Sequence, residues 1–270
     1  KAWANRKWSW DIEGISLHHY TVVDWDNKHV ATGFDEQGYA EILQATLKMD
    51  ELIRQHADIM DRYDPDRALM LAVDEWGAWY APAPGSNPGF LEQQNSVRDA
   101  VLAALNLNIF ARHADRVRMA NIAQMVNVLQ AMILTDGPKM LLTPTYHVFR
   151  LYLPFQDATF VPLSMDAGTW THGDISLPRL DALAARDVDG NLVLAVTNVD
   201  PNRAAAIDVD LGGQAASVAA ETLTGPRVDS VNTFEAPQTV VPRPLDASIA
   251  DGRLKATLPP KSVSVLVVKP

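Results

Sequence analysis

The stretch LAVDEWGAWY (71–80) places two carboxylates, Asp74 and Glu75, at the end of an apolar run and follows them with Trp76, Trp79 and Tyr80. Residues up to Val73 read as a strand buried on both faces. A carboxylate pair at the C-terminal end of such a strand costs free energy unless something there holds it. Carboxylates among aromatic rings fit carbohydrate chemistry: an indole stacks on a sugar ring while a glutamate attacks the anomeric carbon and forms a glycosyl ester, as in a retaining glycosidase. Glu75 is then the candidate nucleophile. The plainer alternative is that Glu75 opens a helix or sits in an ion pair, since buried charges are usually paired for structural reasons. Two more polar groups end apolar runs, His18-His19-Tyr20 and Asn121 to Gln124. No third His or carboxylate lies at ligand spacing from His18 and His19, so hydrogen-bonding or core roles are expected there, and no metal.

These groups need elements to carry them, and the pattern up to about residue 157 supplies alternating strands and helices. IEGISLHHY (12–20) reads as a strand, residues 36–63 as a helix with Ile42, Met49, Leu52, Ile53 and Met60 on one face, and RALMLAVDEW as the next strand. A Pro- and Gly-rich loop (81–89) precedes a helix over 91–113, then a strand and loop over 115–124, then a helix over 144–155. Three strand–helix units imply a parallel sheet, whereas a closed βα barrel needs eight. From residue 158 the text changes to short alternating strands, among them 190–200, 205–212, 252–260 and 262–270, which read as an antiparallel β-sandwich. The fold class expected is therefore α/β followed by all-β, divided into residues 1–157 and 158–270.

Composition narrows the partners. With 23 Lys and Arg against 33 Asp and Glu, the formal net charge of -10 disfavours a nucleic-acid backbone or an anionic membrane surface. No apolar run is long enough to span a membrane. The absence of cysteine excludes disulfides and thiolate chemistry. The N-terminal stretch KAWANRKWSW lacks an initiator methionine and reads as the interior of a longer polypeptide; its Trp3, Trp8 and Trp10 are either a sugar platform or buried packing.

The segments ISLHHYT, IMDRYDP, VDEWGAWY, KMLLTPTYHVFRLY and the long run from Asn87 to Thr135 together resemble the α-L-arabinofuranosidases of glycoside hydrolase family 51, over about residues 12–160. The resemblance implies that the chain is the C-terminal part of a (β/α)8 TIM barrel, strands six to eight, with the β-sandwich after it. It implies that Glu75 is the nucleophile, that Tyr20 hydrogen-bonds and orients that carboxylate, and that Trp79 and Gln124 bind the arabinose. His18 and Trp25 follow as pocket or rim residues. The family's acid/base glutamate belongs to a Gly-Asn-Glu motif that these 270 residues lack, so it is expected in an N-terminal half outside this chain. The implied activity is release of terminal α-L-arabinofuranosyl groups from arabinan or arabinoxylan, without cofactor, by a homo-oligomer, possibly hexameric in the family manner, in the cytoplasm. The alternatives are an endo-acting β-glucanase or xylanase of the same family, and a non-catalytic carbohydrate-binding or assembly module.

Overall fold

Each strand of the first sheet owes its place to an apolar side turned toward helices. In the computed structural model, which describes residues 12–213 and 216–270, β1 (Gly14–Thr21), α1 (Glu36–Thr46), α2 (Lys48–Tyr63), β2 (Met70–Ala78), α3 (Val97–Arg112) and β3 (Val117–Ile122) alternate along the chain. The strands pair in parallel in the order β1-β2-β3. A hairpin of β4 (Ile133–Asp136) and β5 (Lys139–Leu142) follows, then α4 (Pro144–Leu151). The expectations for Trp3, Trp8 and Trp10 lie outside the described residues.

Several boundaries differ from the sequence expectation. The helix expected over 36–63 is two helices meeting at Leu47, and Thr46 Oγ1 donates to the Ile42 carbonyl, a back-bond of the kind that bends helices. The helix expected from residue 91 begins at Val97, because Ser96 is extended and its N–H and hydroxyl both donate to Asp99, at 2.6 and 3.0 Å. The β4–β5 hairpin was not anticipated, although Asp136-Gly137 at its turn is a hairpin signal, with Gly137 at φ 54°. The strand expected to end at the carboxylate pair runs on to Ala78, so Asp74 and Glu75 sit inside β2.

The second half comprises β6 (Thr159–Phe160), β7 (Thr169–His172), β8 (Ile175–Pro178), β9 (Leu180–Arg186), β10 (Leu192–Asn198), β11 (Ala205–Asp210), β12 (Ser217–Leu223), β13 (Arg243–Pro244), β14 (Ala247–Ala250), β15 (Arg253–Leu258) and β16 (Ser262–Lys269). A six-stranded sheet in the order β13-β12-β16-β10-β9-β6 packs on a three-stranded sheet, β11-β15-β14, as the antiparallel sandwich expected. Successive side chains of a strand point to opposite faces, and on the central strands β9, β10 and β16 of the large sheet both faces are buried. Ala184, Leu194, Val196, Leu266 and Val268 face Leu254, Ala256 and Leu258 of the small sheet. Their neighbours Leu183, Val193, Ala195, Val263 and Val265 join the core built on α3 and β2. The two halves also share hydrogen bonds: the Val97 and Arg98 N–H groups, free at the start of α3, donate to the Ser230 and Val228 carbonyls at 3.0 Å each.

One core lying on each side of the large sheet makes a direct prediction. Leu183→Ala, on the helix side, and Leu194→Ala, on the small-sheet side, should each lower stability by about 2–5 kcal/mol as buried Leu truncations do. Chemical denaturation of the complete protein measures both, and a loss below about 1 kcal/mol for Leu183→Ala would mean that the sheet does not depend on the helices.

Candidate active site

Adjacent residues of a regular strand point to opposite faces, so Asp74 and Glu75 could not both face one site without an irregularity. β2 supplies it. Toward β1, Ser16 pairs with Ala72 but His18 pairs with Glu75; toward β3, Val73 pairs with Ala120 but Trp76 pairs with Ile122. On both sides one extra residue of β2 is accommodated at the carboxylate pair, which is a β-bulge. The bulge also changes which residues reach the core: Leu71 and Val73 before it, Trp76, Ala78 and Tyr80 after it. Trp76 is therefore fully buried, packed on Phe110 and Phe149 at 5.2 and 6.0 Å, and Tyr80 is buried as well. This corrects the expectation that Trp76 and Tyr80 surround the carboxylates. Of the three aromatics, Trp79 alone lies on the face of Glu75.

Both oxygens of Glu75 face side chains of β1. The Tyr20 hydroxyl donates to Oε1 at 2.5 Å, and His18 Nδ1 lies 3.2 Å from Oε2. His18 Nε2 lies 3.1 Å from Asp74 Oδ1, which also accepts from the Ser16 hydroxyl at 2.6 Å. Burial, then the hydrogen bond to Glu75, pushes the Tyr20 phenol well above its usual range, so it remains a protonated donor. The Ser16 hydrogen bond holds the Asp74 carboxyl below the usual carboxylate range, ahead of the weaker effect of His18. The Glu75 side chain keeps 37% of its surface open, enough for a ligand to reach it.

Aromatic rings lead outward from this cluster. Trp79 meets Tyr20 edge-on at 5.0 Å, and Trp25 meets Trp79 edge-on at 5.6 Å while exposing 56% of its own surface. Trp25 belongs to the loop after β1, and that loop is tied down further along: Arg98 lies between the Phe34 and Tyr80 rings, 3.5 and 4.1 Å from their centres, and donates to the Val30 carbonyl at 2.9 Å. The Ala81 N–H reaches the His29 carbonyl at 2.9 Å. At the end of β2, Gln130 accepts from the Ala78 N–H, Gln93 accepts from the Tyr80 N–H, and Tyr80 donates to buried Asp99 at 2.8 Å. Buried backbone groups require partners of this kind.

The structure thus brings together Glu75, Tyr20, His18, Trp79 and Trp25 of the expected residues. Gln124 follows β3 at the same end of the sheet and is exposed, with no side-chain hydrogen bond to the cluster among the described residues. Ser16 and Arg98 escaped the sequence reading, and Asp74 was noted without a role. The alternation Ser16, His18, Tyr20 on one strand was a usable signal for Ser16; nothing local marks Arg98, whose partners are remote in sequence.

Comparison with known proteins identifies the family. The family described as the α-L-arabinofuranosidase C-terminal domain matches residues 74–262. An intracellular exo-α-L-arabinofuranosidase of Bacteroides ovatus is 40% identical over 259 residues, a match covering 94% of this chain and 50% of that protein. The crystal structure of the GH51 arabinofuranosidase of Xanthomonas axonopodis pv. citri is 48% identical with a TM-score of 0.93, over 95% of this chain and 53% of that one. An arabinose complex of the α-L-arabinofuranosidase of Thermotoga maritima gives 28% identity and a TM-score of 0.78, with coverage of 96% and 53%. The chain spans about half the length of these relatives. A bulged strand carrying Asp74-Glu75, a β-sandwich behind it and these matches lead to one assignment: the chain belongs to the α-L-arabinofuranosidases of glycoside hydrolase family 51, as their C-terminal portion.

Proposed function

We propose that this chain carries the nucleophile side of a retaining α-L-arabinofuranosidase that releases terminal arabinofuranosyl groups from arabinan or arabinoxylan oligosaccharides. The observation that carries the reading is the Tyr20 hydrogen bond to one Glu75 oxygen, with His18 against the other, beside the Tyr20–Trp79–Trp25 rings. A carboxylate held in line saves the entropy of orienting it, and the aromatic wall offers a face to the sugar. In this reading Glu75 attacks the anomeric carbon and forms a glycosyl ester, Tyr20 orients the carboxylate, and Trp79, Trp25, His18 and Gln124 border the sugar. The acid/base glutamate comes from the rest of the whole protein and protonates the leaving oxygen.

The same proposal makes β1, β2 and β3 the last three strands of an eight-stranded βα barrel, with residues 1–157 as barrel and 158–270 as sandwich. Two features support it. Ile15 on the outer strand β1 and Met119 on the outer strand β3 are exposed, which is costly for parallel strands left uncovered. Beside β3, Phe110, Phe149, Leu153 and Phe155 line an apolar cavity of about 470 Å³. An N-terminal half of the barrel would cover both. A homo-oligomer and an intracellular site of action, the latter in keeping with the name of the Bacteroides ovatus relative, complete the proposal.

Two substitutions in the complete protein test it. Glu75→Ala should lower turnover of an aryl arabinofuranoside by several orders of magnitude, and added azide should restore product as a glycosyl azide of inverted configuration. Near-normal turnover would favour the non-catalytic module. Tyr20→Phe should reduce kcat by about 10- to 1000-fold with folding retained, whereas Trp79→Ala should act mainly on sugar binding; unchanged kinetics in both would place the pocket elsewhere.

A further inference from the structure

We propose that Asp74, backed by Ser16, is a positioning residue for the Glu75 nucleophile and acts through the imidazole of His18. The proposal rests on the reading of Glu75 as nucleophile and extends it to a neighbour. Asp74 shares a face with Glu75 only because of the bulge in β2. Two carboxylates so placed repel one another, a cost the fold accepts where His18 stands between them.

The chain of contacts has a direction. The Ser16 hydroxyl donates to Asp74 Oδ1, and the same oxygen faces His18 Nε2. His18 Nδ1 lies 3.2 Å from Glu75 Oε2, so the ring spans the gap between the two carboxylates. Asp74 is the group that aims this ring at Glu75. Without Asp74 the ring is free to turn, and Oε2 loses its contact with His18 while Oε1 keeps Tyr20.

A donor on the carboxylate acts differently on the two halves of the reaction. In the first, Glu75 gives up charge as it bonds to the anomeric carbon, so the donor stabilises the free carboxylate more than the transition state. In the second, water bonds to the anomeric carbon, the bond to the Glu75 oxygen breaks with its electron pair returning to the carboxylate, and the water proton passes to the acid/base glutamate. Charge then builds on Glu75, and a His18 N–H aimed at Oε2 stabilises the transition state over the ester. Asp74 therefore promotes release of the sugar more than its capture.

The complete protein with Asp74→Ala, Asp74→Asn, Ser16→Ala and Glu75→Ala, assayed on 4-nitrophenyl α-L-arabinofuranoside in steady state and by stopped flow, tests this. Asp74→Ala should lower kcat and KM in parallel by about 10- to 100-fold, leave kcat/KM within about threefold, and show a burst of nitrophenol as glycosyl-enzyme accumulates. Asp74→Asn keeps a carbonyl oxygen toward Nε2 and should recover part of the loss; Ser16→Ala should shift kcat and KM the same way by a smaller factor. Unchanged kcat in Asp74→Ala, or a fall in kcat/KM equal to the fall in kcat with no burst, would overturn the proposal and leave Asp74 as a brace between strands. If Asp74→Ala does not fold, unchanged kinetics in both Asp74→Asn and Ser16→Ala overturn it equally. An active Glu75→Ala would instead sink the nucleophile reading itself, while an inactive Glu75→Ala beside unaltered Asp74 and Ser16 variants would remove only the positioning role.

Discussion

The extra residue in β2 sets the facing of everything beyond it. Before the bulge the odd-numbered Leu71 and Val73 enter the core; after it the even-numbered Trp76, Ala78 and Tyr80 do. Without that shift Glu75 would share the face of Val73 and be driven among Phe110 and the helices, where an ionised carboxylate has no water and no partner. Trp76 in turn would lose its packing on Phe110 and Phe149. A single local irregularity thus separates a core aromatic from a reactive carboxylate one position away, and bulges of this kind are frequent beside active sites.

What keeps the bulged strand from relaxing is a set of buried polar contacts at its end. Gln130 and Gln93 satisfy the backbone of Ala78 and Tyr80, and Tyr80 donates to Asp99, whose carboxyl is pushed up by burial. Asp99 also closes the start of α3 through Ser96, so the exit of β2 and the first turn of α3 are one hydrogen-bonded unit. Arg98, the neighbour of Asp99, carries the connection outward to Phe34 and Val30 and so to the loop that holds Trp25. In a low-dielectric interior each of these contacts is strong and each missing partner costly, so the unit has few alternative arrangements.

The sandwich takes part in this through the large sheet. Because β9, β10 and β16 send alternate residues into two cores, the face that supports α3 is the reverse of the face that closes on β15. The carbonyls of Val228 and Ser230 then cap α3 itself. Positioning of the site therefore reaches into the second half of the chain, although none of the residues around Glu75 lies there.

The sequence by itself determined the strand–helix alternation of the first half, the parallel sense of its sheet, the antiparallel second half, and Tyr20, Glu75 and Trp79 as a group. These were legible because hydrophobic period and turn chemistry are local properties, and because the segments from ISLHHYT to TPTYHVFRLY carry a family likeness. The break at Leu47 and the start of α3 at Ser96 were harder, since each depends on one side-chain hydrogen bond competing with a continuous apolar pattern. Only the tertiary structure decided which aromatic ring faces Glu75, that Asp74 stands on the same side, and that His18 lies between them. The physical reason is that a bulge is specified by pairing with two neighbouring strands, β1 and β3, tens of residues away, while the ten letters of LAVDEWGAWY read equally well with either facing.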